Sequence, residues 1–194
     1  TRDNETGNHI HRTRAYVEML VENLLQQPAQ RDRMPPEEWA LIWKCAPLHD
    51  IGKVGIPDQI LLKPGALTAA EFDIVKSHTA LGADMLADSP SRVVQLAGEV
   101  ARSHHERWDG TGYPDGRVGE NIALSGRIVS IADVYDALIS ARVYKHAWSS
   151  LDAVQYVAAA RGTQFDPRVV RAFIAVMLRR DPSLVRSLDR SVLA

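Results

Sequence analysis

Apolar residues recur every three or four positions through most of the chain, which is the period of an amphipathic helix. The pattern predicts seven helices, at about residues 1–27, 35–50, 68–86, 91–107, 124–139, 151–161 and 166–180. Their ends carry the expected signals, among them Pro28 after the first helix and a capping box that begins at Thr68. Because no strand pattern or internal repeat appears, we predict an all-α fold of about seven helices.

Two segments between the helices have the composition of loops. Residues 51–65 contain three glycines and two prolines, and residues 108–122 contain four glycines and one proline. We expect the first to be a structured loop. The second is too elaborate for a plain linker, and a loop of this length in a compact domain is often functional.

Composition narrows the class of protein. Hydrophobic residues make up 45% of the chain and charged residues 24%, which is usual for a globular domain, so we expect one domain over residues 1–194. The net charge of −1 provides no general attraction to nucleic acid. No apolar run is long enough to insert into a membrane. Cys45, the only cysteine, is expected to be buried and inert in a cytoplasmic protein. We also expect an input domain before this chain.

Candidate metal ligands are spread over the predicted helices. Five of the seven histidines lie on or at the ends of helices beside apolar residues, and three acidic residues complete a set of eight: Glu5, His9, His49, Asp50, His78, His104, His105 and Asp133. Imidazole and carboxylate together suit Fe, Mn or Zn. A single histidine of this kind is more often a core residue than a ligand. Eight ligands exceed the need of one ion, so a carboxylate such as Asp50 that bridges two cations becomes the stronger interpretation.

Two aspartates lie one turn apart in an otherwise apolar helix. Asp133 needs a cation or several hydrogen-bond donors if it is buried there, which favours the metal interpretation. Asp136 has alternatives: it orients a ligand histidine, or it binds a loop. We also count it among the residues expected to contact substrate.

The chain closely resembles the HD-GYP subgroup of the HD phosphohydrolase superfamily. The matching blocks run in order from residue 5 to residue 167: ETGNHIHRT, HDIGKVGIPDQILLKPG, the helix with His78, HHERWDGTGYPDG, RIVSIADVYDALISARVYK and FDP. The resemblance implies an HD-type helical bundle with an ordered loop at residues 108–122, which we call the GYP loop. It also implies a metal-dependent cyclic di-GMP phosphodiesterase of bacterial signal transduction, of the kind found in two-component systems.

The resemblance assigns roles to particular residues. His49 and Asp50 match the HD ligands, and Glu5 and His9 match an extra pair found in members with a third metal ion. The resemblance therefore implies two or three divalent cations, with Fe or Mn expected before other metals. His49, Asp50 and Lys53 are the expected catalytic residues, with a metal-bound hydroxide as the nucleophile. The expected substrate-binding residues are Lys53, Tyr113, Asp136, Arg142 and Lys145.

Three functions remain open on the sequence. The first is hydrolysis of cyclic di-GMP to linear pGpG and further to GMP. The second is hydrolysis of another cyclic dinucleotide, such as cyclic GMP-AMP. The third is a signalling module of low activity whose GYP loop binds a diguanylate cyclase (GGDEF) domain. A homodimer is a further expectation.

Overall fold

All regular structure in the described residues is helical. The structure is a computed structural model that describes residues 7–140 and 147–186. The helices are α1 (Gly7–Leu25), α2 (Pro28–Arg31), α3 (Pro36–Cys45), α4 (Asp58–Leu61), α5 (Ala69–Lys76), α6 (His78–Leu86), α7 (Arg92–Ser103), α8 (Leu124–Ile139), α9 (Ser150–Ala159) and α10 (Pro167–Arg180). Short 3-10 turns cover Ala46–Leu48, Ile51–Gly55, Gly119–Asn121 and Pro182–Arg186. The all-α prediction is confirmed.

Helix α8 lies at the centre of the bundle. It contacts α1, α7, α9 and α10, and most of its side chains are buried, which explains why its sequence is apolar on more than one face. Tyr135 shows the packing: its ring makes edge contacts with Tyr16 of α1 and Phe173 of α10, each at 5.1 Å between ring centroids. The polar residues of α8 are therefore held by a surrounding core.

The helix predicted over 68–86 is broken at Ser77, so the sequence prediction is wrong there. Three consecutive side chains each donate a hydrogen bond to the carbonyl three residues earlier, from Ser77 Oγ (2.6 Å), His78 Nδ1 (2.6 Å) and Thr79 Oγ1 (2.9 Å). These bonds compete with the backbone ladder, which tightens at this point. As a result His78 is the first residue of α6 instead of a residue within a longer helix.

The helix predicted over 35–50 ends early, at Cys45. Pro47 has no amide hydrogen to continue the ladder, and the chain passes into a 3-10 turn. His49 and Asp50 therefore lie in a turn that follows the helix. The next residue but one, Gly52, packs against α6: a Cβ atom there would lie 2.0 Å from the His78 carbonyl oxygen. Only glycine allows the turn to approach α6 this closely.

Residues 51–65 are ordered, as expected, although they include a 3-10 turn and the single-turn helix α4. Cys45 is buried, and burial raises the pKa of its thiol to about 11, in agreement with an inert residue. Among the described helices, none combines the length and the apolar character needed to cross a membrane.

Candidate metal centre

Four buried histidines share one arrangement, in which Nδ1 is bound to an oxygen. The acceptors are the carbonyl of Ala46 for His49 (2.8 Å), that of Val75 for His78 (2.6 Å), that of Ala101 for His104 (2.9 Å) and Asp136 Oδ2 for His9 (2.7 Å). Each of these residues is at most 5% exposed. Because these oxygens accept, Nδ1 carries a proton, and in the neutral ring Nε2 keeps the lone pair that binds a metal ion.

The Nε2 atoms converge on two carboxylates. Around Asp50, the Nε2 of His78 lies 3.1 Å from Oδ1 and that of His49 lies 3.2 Å from Oδ2. Around Asp133, the Nε2 of His9 lies 3.4 Å from Oδ1 and that of His49 lies 3.7 Å away. His49 therefore stands between the two carboxylates.

The ligand atoms form two groups, each within 4.8 Å. One contains Asp50, His78, His104 and His105, and the other contains His9, His49 and Asp133. Hard and borderline donors of this kind fit Fe, Mn or Zn. Two buried atoms, His49 Nε2 and Asp50 Oδ1, make no hydrogen bond of acceptable geometry within the described residues. A cation between the side chains would satisfy both, so the residues fit the expected metal ions. Glu5 lies outside the described residues.

The pKa values of the side chains in the cluster are shifted in different directions. Burial alone would raise the pKa values of Asp50 and Asp133, but the surrounding imidazoles hold both below the usual range. Burial alone would lower the pKa of His49, but the Asp50 and Asp133 carboxylates raise it to about 9. Burial lowers the pKa values of His104 and His105, so these rings are neutral. Both carboxylates are thus ionised and available to a cation.

Asp136 lies behind His9 and is bound to its Nδ1. It is fully buried, and besides His9 it accepts hydrogen bonds from Arg12 Nε (2.6 Å) and from Arg12 Nη2 (2.9 Å). Ser140 Oγ lies 3.3 Å from it. Both carboxylate oxygens are thus engaged by His9 and Arg12, and a contact between Asp136 and substrate stays a prediction. The alternative role agrees with the geometry: Asp136 orients a candidate ligand histidine.

The GYP loop places Tyr113 at one side of the cluster of candidate ligands. The Tyr113 ring stacks at a tilt on His105, with 4.9 Å between the ring centroids, and its amide bonds to the His105 carbonyl. The peptide bond between Tyr113 and Pro114 is cis. Gly112 is required by a close approach, since a Cβ atom there would lie 2.3 Å from the Arg107 amide nitrogen. Tyr113 thus lies beside the candidate ligand His105.

Lys53 lies at the same site. Its Nζ is 2.8 Å from Asp50 Oδ2, and its side chain is 19% exposed, so a positive charge faces the carboxylate from the partly open side. Two other expected substrate-binding residues, Arg142 and Lys145, lie outside the described residues.

The sequence pattern does not predict two further roles. Arg12 holds Asp136, and its only sequence signal is its position three residues after His9. Glu106 is 3% exposed and anchors the GYP loop by accepting from the amides of Asp115 (2.7 Å) and Arg117 (3.0 Å). The signal for Glu106 in the sequence is an acid directly after two candidate ligands.

Comparison with known proteins identifies the family. A protein-family model described as "HD domain" matches residues 4–169. The chain belongs to the HD domain family, and the resemblance to the HD-GYP subgroup is confirmed.

Several curated relatives are similar over most of this chain. A "Cyclic di-GMP phosphodiesterase" of Vibrio cholerae serotype O1 is 52% identical over 91% of this chain and 37% of the relative. The "Cyclic di-GMP phosphodiesterase response regulator RpfG" of Xanthomonas campestris pv. campestris is 50% identical over 75% of this chain and 39% of the relative. A "3'3'-cGAMP-specific phosphodiesterase 2" of Vibrio cholerae serotype O1 is 41% identical over 89% of this chain and 32% of the relative. The chain therefore spans less than half the length of these relatives.

A solved structure supports the fold. The crystal structure of a cyclic GMP-AMP-specific phosphodiesterase of V. cholerae matches with a TM-score of 0.59 at 20% identity, covering 93% of this chain and 46% of that one. At this identity the match speaks for the fold alone.

Proposed function

We propose that this chain is a metal-dependent phosphodiesterase domain that hydrolyses cyclic di-GMP to linear pGpG and then to GMP. The observation that carries the proposal is the set of four histidines, His9, His49, His78 and His104, whose Nε2 atoms converge on Asp50 and Asp133; the fourth contact is His104 Nε2 at 3.7 Å from Asp50 Oδ1. The names of the relatives above support the substrate.

Two divalent cations, Fe or Mn, are proposed for the two groups of ligands, and Asp50 is the carboxylate that would serve both. The two groups and the position of His49 between the carboxylates support this number. A third ion is proposed to depend on Glu5 together with His9. Bound cations of this kind neutralise phosphoryl oxygens and lower the pKa of water.

The residues of the chain have separate tasks in the proposed reaction. Lys53 meets the charge of the scissile phosphate beside Asp50. Tyr113 provides a ring edge or face for a guanine, next to His105. Arg142 and Lys145 are proposed to hold the second phosphate. His9 keeps its orientation through Asp136.

Product chromatography tests the proposal directly. The metal-loaded chain is incubated with cyclic di-GMP, and we expect linear pGpG to appear first and GMP later. A preparation that contains metal and yields neither product would overturn the proposal. Asp50→Asn is the matched inactive control.

A second candidate function is hydrolysis of 3'3'-cGAMP, which the 41% identical relative favours. Initial rates on the two cyclic dinucleotides under the same conditions separate the candidates. A GGDEF-domain partner, a homodimer and action in the cytoplasm stay predictions; copurification and light scattering test the first two.

A further inference from the structure

A cavity lies apart from the proposed metal ligands. It has a volume of about 530 Å³ and is bounded by the segment before α3, the end of α7, the second half of the GYP loop and the first turn of α8. None of the proposed metal ligands in the described residues lines it. The volume is in the range of pockets that hold small organic ligands.

Three buried polar atoms that belong to residues of its wall have no hydrogen-bond partner among the described residues. They are Arg33 Nη1, Arg127 Nε and Ser125 Oγ. Arg127 is 8% exposed and Ser125 only 1%. Two of these atoms can only donate a hydrogen bond, and the third can donate. Because leaving such groups unsatisfied is costly, the wall is suited to a ligand that accepts hydrogen bonds.

The first turn of α8 adds further hydrogen-bond donors without partners in the helix. Leu124 and Ser125 line the cavity, and the N-cap residue is Ala123, which offers no side-chain cap. The first amides of a helix have no partner within the helix, and their partial positive charge favours anions. The uncapped turn and the unpartnered arginine atoms are independent observations that point to the same ligand chemistry.

The carboxylates that line the cavity are already paired with arginines. Glu38 receives Arg92 Nε at 2.7 Å and Glu99 receives Arg92 Nη1 at 2.8 Å. Glu120 is bound by Arg33 and by Arg168. Each of these acids therefore already has an arginine partner, and the donors without partners are left for a ligand.

We propose that this cavity binds the phosphate group of a small phosphorylated molecule, through Arg33, Ser125, Arg127 and the first turn of α8. Met34, Ile122 and Leu124 provide an apolar wall for the rest of the molecule. The binding does not depend on the proposed hydrolysis.

The site would act on the GYP loop. Arg102 and Arg117 both line the cavity and both bind Asp115, two residues after Tyr113. Ser103, which also lines it, directly precedes the candidate ligand His104. Phosphate in the cavity thus stiffens the second half of the GYP loop, after Tyr113.

Hydrogen exchange and calorimetry with inorganic phosphate, GMP and guanosine test the proposal on the metal-loaded protein. We expect phosphate and GMP to slow exchange in residues 119–127 and guanosine to have no effect. Tighter binding of GMP than of phosphate identifies an organic phosphate as the ligand; equal binding identifies free phosphate. Binding in the proposed active site would slow exchange instead at residues 49–53 and 104–113. Hydrogen exchange therefore distinguishes the two sites.

Variants localise the effect. Arg33→Gln and Ser125→Ala are each expected to weaken binding about tenfold, since each removes a hydrogen bond to an anion. Arg31→Gln is the matched control, because Arg31 lies two residues away and pairs only with the exposed Asp32 in the described residues. Protection confined to residues 49–53 and 104–113, or unchanged affinity in Arg33→Gln and Ser125→Ala, would overturn the proposal.

Discussion

The candidate ligands are held in two different ways. His49, His78 and His104 are each oriented by a backbone carbonyl three residues earlier on the same segment. His9 is oriented by Asp136, which lies 127 positions away on another helix. The first kind of orientation forms with the local turn. The second needs α1 docked on α8, so we expect the group that contains His9 to be the more sensitive one.

The largest expected effect comes from removing Asp50, the carboxylate that faces the three locally oriented histidines. Asp50→Asn keeps the shape but loses the charge that faces His49 and His78. We expect cyclic di-GMP hydrolysis to fall roughly a thousandfold or more, since bound cations supply several kcal/mol to phosphate hydrolysis. Product chromatography and elemental analysis measure it; retained metal with retained activity would contradict the bridging role.

Breaking the distant orientation should have the next largest effect. Asp136→Asn leaves the shape intact but weakens the acceptor for His9 and Arg12. We expect activity to fall about 10- to 100-fold, as for other partners of ligand histidines. Metal content should drop mainly in the group with His9. Stoichiometry equal to wild type would count against this role.

The pH dependence of stability tests the electrostatics between the two groups. In the metal-free protein the folded pKa of His49, about 9, lies above its ordinary value of 6.5. The protonated ring therefore stabilises the fold fully below pH 6.5, and this contribution is lost as the pH rises through 9. The free energy of unfolding should fall by at most about 3 kcal/mol across that window.

Urea unfolding of chelator-treated protein at several pH values measures this loss. His49→Gln, which does not titrate, should remove the dependence in the same window. A wild-type profile that already matches the variant would show that the carboxylates do not raise the pKa.

Gly52→Ala disturbs the local orientation through the backbone. The added methyl group would strike the His78 carbonyl and the Gly82 amide, so the turn must move away from α6. We expect a loss of about 1 to 3 kcal/mol in the free energy of unfolding. Gly55→Ala is the control, because there the nearest atom belongs to the flexible Leu81 side chain. Equal melting temperatures for the two variants would contradict the close approach.

The smallest effect is expected for Ser77→Ala, directly before His78. Only the Ser77 hydroxyl is lost, and the Val75 carbonyl that orients His78 remains. Metal affinity from a competition titration should change less than about twofold, because substitutions away from the packed core usually change stability by at most half a kcal/mol. A large loss would show that the local orientation depends on more than the backbone carbonyl.

These two modes of orientation also explain what can be predicted from the sequence. The apolar period predicts the helical fold and the burial of the histidines, because both follow from local pattern. It does not predict the break at Ser77 or the early end of α3, since those depend on competition between side chains and backbone. The link between Arg12 and Asp136 joins residues far apart in the chain, and only the packed fold brings them together.

Ser140 links the orientation of His9 to a neighbouring segment of the chain. Its hydroxyl accepts from Arg12 Nη2 at 2.7 Å, and it is the last described residue before the segment on which we expect Arg142 and Lys145 to hold phosphate. One arginine on α1 thus touches both the support of His9 and the start of that segment. We therefore expect a substitution at this junction to change both the orientation of His9 and the position of the segment proposed to hold phosphate.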